Sequence, residues 1–369
     1  MTIYLDYQAT TPPAPEVAAA MRPWVEEKFA NPHSSHKLGR EAAAAVEVGR
    51  EQILEALRGT VTGNCPHGRL YFTAGATEAA NWALKGSAAR RIVTLATEHA
   101  CVLDSVEWLA GQGREVEILP VGADGLVDLG LLEAQVTEGT DLVAAMLVNN
   151  EIGVIQPVAE IARIARAKGA LFFCDAVQGF GRVPLPLDCC DLVALSAHKI
   201  HGPKAIGALW VRDGLALEPL LHGGGQEGGI RSGTLSPALC AGFGESARLL
   251  GADRDHVECL WMLAMELMTD WTLNGSAEQR YRGNLNLRRE GVDAARLMSE
   301  VREVAFSAGS ACASGSGRPS HVLAALGLSG REARSSIRLG FGRYTTQDDL
   351  RTALALINEA AERQLKFAA

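Results

Sequence analysis

The chain of 369 residues contains no apolar run of 18 residues, so its sequence offers no candidate membrane span. Its N-terminus has no basic stretch followed by an apolar segment, which argues against a signal peptide and makes the cytoplasm the expected compartment. No Cys-x-x-Cys pair occurs among the eight cysteines, which disfavours zinc and thioredoxin-like sites. No Gly-x-Gly-x-x-Gly follows an early strand, which counts against a nicotinamide-dependent dehydrogenase.

The formal net charge of −8 at pH 7 disfavours a nucleic-acid-binding protein, so neither nucleic acid nor a membrane is an expected partner. Hydrophobic residues make up 47% of the chain and charged residues 21%, which is typical of a globular protein, and the length suits one large and one small domain. His33 and His36 form a His-x-x-His pair, but nothing else in that segment completes a ligand set, so we expect no metal site.

Short apolar, strand-like runs alternate with helical patterns through the middle of the chain. The strand-like runs occupy residues 92–96, 142–148, 171–174, 192–195 and 206–211. This alternation predicts an α/β fold with a mostly parallel central sheet that is covered by helices. Ligands bind at the carboxyl ends of the strands in such sheets.

From about residue 251 the pattern changes to α+β. Helical and strand-like segments follow one another at about residues 255–269, 284–288, 293–300, 304–307, 337–340 and 346–365. We therefore predict a large domain of residues 12–250 and a smaller α+β domain made of residues 1–11 and 251–369.

Lys199 follows the strand-like run at residues 192–195, and Asp175 follows the run at residues 171–174. A lysine directly after a buried strand is usually a surface residue, unless its amine takes part in chemistry. An amine that forms a Schiff base and an acid that pairs with a pyridinium nitrogen are what pyridoxal phosphate requires of a protein. The two residues therefore point to a pyridoxal phosphate site at the carboxyl edge of the sheet.

Two segments have the composition of phosphate-binding loops. Residues 72–78 (Phe-Thr-Ala-Gly-Ala-Thr-Glu) open a helix, where the N–H groups of Ala76 and Thr77 and the Thr77 hydroxyl can hold a phosphate. Residues 231–234 (Arg-Ser-Gly-Thr) follow three consecutive glycines and offer further hydroxyls. Each segment alone is also typical of a helix cap or a turn.

Polar residues follow other predicted strands as well. His99 is suited to stacking on a planar cofactor and to proton transfer, although a structural histidine is the plainer interpretation. Asn150 and Gln178 can donate to the oxygen of a pyridine ring, although amides at strand ends are often turn formers. Their convergence on one edge of one sheet favours the functional interpretation.

Two further residues suit an amino-acid substrate. Cys312 lies in a run of small residues at 307–317, so its thiol can be exposed, partly ionised and able to reach a substrate, unless it is an incidental thiol on a linker. Arg338, on a predicted strand of the smaller domain, can pair with a carboxylate in two parallel hydrogen bonds, or it can form a structural ion pair.

Together these segments resemble the cysteine desulfurases, which are pyridoxal phosphate-dependent transferases of the aspartate-aminotransferase fold, fold type I. The resemblance runs nearly end to end, and several of its motifs are specific. It covers residues 4–12 (Tyr-Leu-Asp-Tyr-Gln-Ala-Thr-Thr-Pro), 31–32 (Asn-Pro), 72–78, 148–153 (Val-Asn-Asn-Glu-Ile-Gly), 196–199 (Ser-Ala-His-Lys), 231–234, 307–312 (Ser-Ala-Gly-Ser-Ala-Cys) and 335–338 (Ser-Ser-Ile-Arg). The 307–312 motif resembles the group with the longer catalytic loop, and Gly228 departs from the basic residue that is common there.

The resemblance implies a role for each site residue. Lys199 forms the Schiff base and moves the α-proton of the substrate, Asp175 pairs with the pyridinium nitrogen, and His99 stacks on the ring. Cys312 takes the sulfur as a persulfide and leaves alanine, while Arg338 holds the cysteine carboxylate. The remaining implied contacts are Ala76, Thr77, Asn150, Gln178, Ser196 and His198 to the cofactor, Thr234 to the cofactor of the partner subunit, and Asn31 and Asn150 to the substrate.

The resemblance also implies a homodimer and a sulfur-acceptor protein, such as an iron–sulfur scaffold, as partners. Two alternatives stay open at this point. One is a selenocysteine lyase, an aminotransferase or another amino-acid lyase on the same fold. The other is a protein of this fold that has lost catalysis and serves as a binding subunit, which the presence of Lys199, Asp175, His99 and Cys312 argues against.

Overall fold

The computed structural model describes residues 2–60, 66–308 and 320–368. The strands are β1 (Ile3–Tyr4), β2 (Gly68–Thr73), β3 (Arg91–Leu95), β4 (Glu115–Leu119), β5 (Leu142–Met146), β6 (Leu171–Asp175), β7 (Leu192–Ser196), β8 (Gly207–Arg212), β9 (Thr272–Leu273), β10 (Asn284–Arg288), β11 (Val304–Ala305) and β12 (Ser336–Gly340). The helices are α1 (Pro15–Glu26), α2 (Lys37–Arg58), α3 (Ala76–Gly86), α4 (Ala100–Gly111), α5 (Leu129–Gln135), α6 (Val158–Ala167), α7 (Pro237–Arg248), α8 (Arg254–Leu267), α9 (Ala294–Glu300), α10 (His321–Ala325), α11 (Gly330–Arg334) and α12 (Gln347–Ala368).

A seven-stranded sheet of order β2-β8-β7-β6-β5-β3-β4 forms the centre of the molecule. Strands β3 to β7 are parallel to one another, and β8 runs antiparallel to both of its neighbours. In β5 and β7 every residue is buried, which explains why these segments are continuously apolar in sequence. The prediction of a mostly parallel central sheet is confirmed.

Helices cover both faces of this sheet. Alternate residues of each strand enter two separate hydrophobic clusters, as Val193 and Leu195 do on one face and Leu192 and Ala194 do on the other. Residues of α2, α6 and α7 complete the first cluster, and residues of α3 and α4 complete the second. The carboxyl ends of β3, β5, β6 and β7 therefore meet at one edge of a sheet that is held rigidly from both sides.

The C-terminal part of the chain has its own hydrophobic cluster. The antiparallel strands β12-β10-β9 pack with α8, α9 and α12, and Leu5 from the N-terminus joins the same cluster. Strand β1 pairs in parallel with β11, which ties the N-terminus to this part of the molecule. The domain boundaries placed at residues 11–12 and 250–251 stay a prediction.

No helix among the described residues is long and apolar enough to cross a membrane. Likewise, within residues 2–60, 66–308 and 320–368 we find no group of three or more histidines, cysteines or acids that could hold a metal ion.

Candidate active site

A cavity of about 770 Å³ opens at the carboxyl edge of the central sheet. Its walls come from the residues that follow β3, β5, β6 and β7, from the start of α3, and from residues 8–10 of the N-terminal segment. Ten of the residues selected from the sequence line it together: Ala76, Thr77, His99, Asn150, Asp175, Gln178, Ser196, His198, Lys199 and Arg338. Residues from the N-terminal segment to Arg338 thus surround one space.

Lys199 ends a short 3₁₀ turn directly after β7. Its Nζ donates to the carbonyl oxygens of Gln8 at 2.7 Å and Ala9 at 2.8 Å. The N-terminal segment packs over the same turn, since the Thr11 hydroxyl donates to the carbonyl oxygen of His198 at 3.0 Å. The lysine amine is therefore held at the cavity wall by a segment far from it in sequence.

Asp175 is the last residue of β6. It is buried and lines the cavity. Its Oδ1 accepts a hydrogen bond from the backbone N–H of Val177 at 3.0 Å. Burial raises the pKa of the Asp175 carboxyl, while this hydrogen bond and the charges of His99 and Lys199 oppose the rise. Such a carboxyl is stabilised as the anion when a cation binds beside it, and a protonated pyridine nitrogen is such a cation.

His99 caps the N-terminus of α4, where its Nδ1 accepts the backbone N–H of Cys101 at 3.1 Å. A ring nitrogen that accepts a hydrogen bond carries no proton, so the neutral ring carries its proton on Nε2. Burial lowers the pKa of His99, and the charge of Lys199 lowers it further although Asp175 opposes this. The ring is therefore neutral near pH 7, with Nε2–H as its donor.

Gln178 is oriented by two contacts. Its Nε2 donates to the carbonyl oxygen of Gln8 at 2.9 Å, and its Oε1 accepts from Nη1 of Arg182 at 2.5 Å. Arg182 also donates from Nη2 to the carbonyl oxygen of Lys199 at 2.6 Å. One guanidinium outside the cavity thus holds both an amide and the lysine turn that face into it.

The Arg338 guanidinium is almost wholly buried and is already paired within the chain. Nη2 donates to Oδ1 of Asp6 at 2.6 Å and to Oγ of Ser307 at 2.7 Å, and Nη1 donates to the carbonyl oxygen of Asn150 at 3.0 Å. Among the described residues its Nε has no hydrogen-bond partner, and neither does Oδ1 of Asn150. The structural ion pair that the sequence left open is present, and the same arginine lines the cavity.

The start of α3 lines another part of the cavity. No atom lies within 4 Å of the position that a Cβ would take on Gly75, whereas a Cβ on Gly207 would lie 2.7 Å from the Gly75 carbonyl carbon. The first backbone N–H groups of a helix have no partner within the helix, so those of α3 are available to a ligand. Ser196 and His198 line the same cavity, and burial lowers the pKa of His198 to about 4, which keeps its ring neutral.

Two residues selected from the sequence are not brought to this cavity within one chain. Asn31 and Thr234 are exposed and do not line it. Arg231 binds Glu78 of α3 through two hydrogen bonds of 2.8 and 2.9 Å, which ties the segment of Thr234 to the outside of that helix. Cys312 lies outside the described residues. The roles of Asn31, Thr234 and Cys312 stay predictions.

The cavity also contains residues for which we predicted no role. Gln8 and Glu151 lie in two of the motifs that carry the family resemblance, but we predicted no role for either residue. His321 is the first residue of α10, directly after the N-cap Ser320, and its ring nitrogen Nε2 lies 2.9 Å from the carbonyl oxygen of Glu98. A serine that opens a helix was the available sequence indication of this element.

The residues present fit pyridoxal phosphate. The cavity combines an amine, a buried carboxyl that needs a cation, a neutral imidazole and a helix N-terminus beside an open glycine. The buried and unpartnered amide oxygen of Asn150 is a further group that a ligand can satisfy.

Comparisons with known proteins agree with this geometry. Residues 3–352 match the model of the aminotransferase class-V family. The cysteine desulfurase IscS of Rickettsia bellii is 43% identical over 97% of this chain and 90% of that protein. A solved NifS-like protein superposes with a TM-score of 0.88 at 31% identity and covers 97% of this chain and 99% of its own.

A second solved structure, SspA in complex with cysteine, superposes with a TM-score of 0.82 at 34% identity, over 94% of this chain and all of that one. The matched families imply pyridoxal phosphate as the cofactor. With the family model and a 43% identical relative both spanning nearly the whole chain, the chain belongs to the class-V aminotransferase family and, within it, to the cysteine desulfurases.

Proposed function

We propose that the chain removes sulfur from L-cysteine, releases L-alanine and carries the sulfur as a persulfide on Cys312. The observation that supports this best is the convergence of Lys199, Asp175 and His99 on one cavity. The similarity to SspA, which was solved in complex with cysteine, supports cysteine as the substrate.

The donor set described above would hold pyridoxal phosphate as follows. Lys199 would bind the aldehyde carbon, Asp175 would pair with the ring nitrogen, and His99 would lie on the ring. The ring oxygen and the phosphate would be held by Asn150, Gln178, Ala76, Thr77, Ser196 and His198, with Thr234 added from the partner subunit. When bound, the cofactor withdraws electrons from the α-carbon of the amino acid.

Two groups of the chain act on the substrate in this scheme, one by moving a proton and one by donating a hydrogen bond. Lys199 Nζ takes the α-proton, because it is the amine held at the cavity wall by Gln8 and Ala9. His99 presents Nε2–H, because its Nδ1 is occupied by the Cys101 N–H. The neutral ring can therefore donate a hydrogen bond without adding a positive charge to the site.

The sulfur step balances without an external oxidant. The thiolate of Cys312 bonds to the substrate Sγ, the Cβ–Sγ bond breaks, and its electron pair goes to Cβ, which takes up a proton to give alanine. Two described residues on either side of the Cys312 segment in the sequence have contacts that support this role. The Ser307 hydroxyl donates to Asp6 at 3.1 Å, and Asp6 in turn binds the cavity residue Arg338. The Ser320 hydroxyl donates to the cavity residue Glu151 at 2.5 Å.

The substrate carboxylate would bind Arg338 beside its unpartnered Nε, with Asn150 and Asn31 as further contacts. Since Asp6 already holds one side of the same guanidinium, the incoming carboxylate shares the arginine with an internal acid. This competition keeps the carboxylate site weak for anions that lack the rest of the substrate.

The sulfur acceptor would be an iron–sulfur scaffold or another thiol protein, because the matched relatives bear the name IscS. A homodimer is supported by large hydrophobic side chains that are exposed on or near α1 and α2, at Val25, Phe29, Leu38 and Val48. A cytoplasmic location stays a prediction.

The direct test is to incubate the purified protein with pyridoxal phosphate, L-cysteine and a thiol reductant, and to measure alanine and sulfide together. Equal amounts of both are expected. Bound cofactor without any alanine would contradict the proposal and would favour a selenocysteine lyase or another amino-acid lyase, which selenocysteine as substrate would then reveal.

Two variants separate the proposed roles. Lys199→Ala should lose both the visible absorbance of the bound cofactor and all turnover, because it removes the amine that Gln8 and Ala9 hold at the cavity wall. Cys312→Ser should keep the absorbance and stop sulfide production. Sulfide production at the wild-type rate by Cys312→Ser would show that another group is the nucleophile.

A further inference from the structure

Three imidazoles line the cavity, and the roles above use only two of them. Burial lowers the pKa of His99 and lowers that of His198 to about 4, so both rings are neutral near pH 7 and are weak proton acceptors. His321, at the start of α10, is the exposed one of the three. It can therefore exchange a proton between the cavity and water.

The contact of His321 with Glu98 determines which of its nitrogens can accept a proton. Nε2 lies 2.9 Å from the Glu98 carbonyl oxygen, which can only accept, so Nε2 carries a proton in both charge states of the ring. Glu98 is fully buried, and its side chain accepts the Met146 N–H at 2.9 Å, so this carbonyl is fixed in place. The lone pair of neutral His321 is thus on Nδ1.

His99 has the opposite arrangement. Its Nδ1 accepts the Cys101 N–H and its Nε2 carries the proton. The cavity therefore contains one imidazole that is set to donate and one, His321, that is set to accept.

The buried side chain of Glu151 binds Ser320, the residue that precedes His321. The Ser320 hydroxyl donates to Oε2 of Glu151 at 2.5 Å and accepts the Leu323 N–H at 3.1 Å, which fixes the start of α10. Burial raises the pKa of Glu151, whereas the Ser320 hydrogen bond and the charges of His321 and Arg338 lower it. The described groups that interact electrostatically with the His321 ring are Glu151 and His99.

We propose that His321 accepts the proton that the α-ammonium of the incoming amino acid must lose before its nitrogen can bond to carbon. Arg338 binds the substrate carboxylate one carbon away from that nitrogen, and Glu151 interacts electrostatically with both Arg338 and His321. The substrate N–H bond breaks, its electron pair stays on nitrogen, and Nδ1 forms the new N–H bond. The exposed ring then passes the proton to water. The assignment rests on the proposed desulfurase function.

The test compares His321→Gln with the wild-type holoenzyme, using L-cysteine and alanine formation from pH 5.5 to pH 8.5. Glutamine can still donate to the Glu98 carbonyl but cannot take up a proton. We expect kcat/KM to fall about 100-fold at pH 8, the lower range for loss of a general base. The loss should be smaller at the acidic end of this range than at pH 8, because an imidazole that already carries both protons accepts no further one.

Rescue and a control distinguish proton transfer from a structural role. Added imidazole should restore part of the activity of His321→Ala, and His67→Gln, an exposed histidine outside the cavity, should match the wild type. A His321→Gln enzyme that is as active as the wild type at pH 8, or one whose loss is equal at every pH and is not rescued, overturns the proposal.

A readout without turnover separates this proposal from the function on which it rests. Imidazole ¹H–¹⁵N spectra of the protein should show the proton of neutral His321 on Nε2 and none on Nδ1, assigned by its disappearance in His321→Gln. A proton on Nδ1 overturns the role of His321 even if the enzyme is active. Absence of alanine from the wild type refutes the desulfurase function instead.

Discussion

Arg182 lies outside the cavity, yet it holds two of the residues that line it. Its guanidinium binds Oε1 of Gln178 and the carbonyl oxygen of Lys199, and it lies over the ring of Tyr281 at 5.2 Å. A planar fork that meets two acceptors at once orients them relative to each other in a way that a single ammonium cannot. The geometry of the lysine turn therefore depends on a residue that does not touch the ligand.

Replacing Arg182 should weaken cofactor binding without removing any cofactor contact. Arg182→Met leaves Oε1 of Gln178 and the Lys199 carbonyl oxygen without this donor, at a cost of about 1–3 kcal/mol, or roughly a 5- to 150-fold higher dissociation constant for pyridoxal phosphate. The loss can be measured by titrating the apoprotein with pyridoxal phosphate.

Arg166→Met is the matched control for this prediction. Arg166 also donates to two carbonyl oxygens, those of Asp188 and Cys189 at 3.3 Å, but neither Arg166 nor these partners line the cavity. The Arg166→Met variant should bind pyridoxal phosphate with the same dissociation constant as the wild type. Equal affinity of Arg182→Met and Arg166→Met would show that Arg182 is only a surface contact.

Site residues that directly follow strands could be predicted from the sequence. Residues that line or support the cavity only because of tertiary contacts could not. Asp175 and Lys199 could be selected because a parallel sheet places the ends of its strands together, whatever the rest of the chain does. Gln8, Arg182 and His321 come from a turn, a loop and a five-residue helix. Nothing in the local sequence of Gln8 or His321 specifies a partner 170 or more residues away, such as Gln178 for Gln8 and Glu98 for His321.

At the scale of single elements, burial decided which segments could be recognised. The fully buried β5 and β7 appear in the sequence as continuous apolar runs, and their predicted positions agree with the structure to within two residues. Strand β4 was not predicted, because it is the edge strand of the sheet and is only partly buried. An edge strand that alternates Glu115 and Glu117 with apolar residues lacks the continuous run by which its neighbours were recognised.

The short helix α10 yields a prediction at this scale. Ser320 caps it and also supplies the hydroxyl bound to the buried Glu151. Ser320→Ala removes both hydrogen bonds, so we expect a loss of about 1–3 kcal/mol in the free energy of unfolding and a clear fall in kcat/KM, because His321 loses its fixed position. Chemical denaturation and alanine formation measure the two effects.

The helix α11 provides the control, since it also has five residues and a serine cap. Ser329 forms a capping box with Glu332 at the surface. Ser329→Ala should cost about 1 kcal/mol of stability and leave kcat/KM unchanged. If both variants lowered kcat/KM equally, the cap of α10 would have no special connection with the site.

For the whole molecule, the question is whether the site is complete in one chain. Thr234 is exposed, and its segment is fixed to the outside of α3 by Arg231 and Glu78. Thr234 does not line the cavity of its own chain. Together with the exposed Phe29 and Leu38, this favours a dimer in which each subunit completes the other's phosphate site.

Mixed dimers test this arrangement. Dimers with two Lys199→Ala chains should be inactive, and dimers with two Thr234→Ala chains should bind pyridoxal phosphate about 10-fold more weakly, through loss of one hydrogen bond to a charged group. If Thr234 acts across the interface, a mixed dimer has one site with neither substitution and one with both. Co-expression with two different affinity tags isolates it.

The isolated mixed dimer should show about half of the wild-type kcat per dimer, with wild-type cofactor affinity at its one active site, because that site receives Thr234 from the Lys199→Ala chain. If Thr234 instead acted within its own chain, the only site with Lys199 would be the weakened one, and the affinity would stay about 10-fold low. A single-chain mass in sedimentation at micromolar concentration would contradict the dimer itself. Comparing cofactor affinity rather than turnover alone separates these outcomes, because half-activity also results from any dimer with one dead subunit.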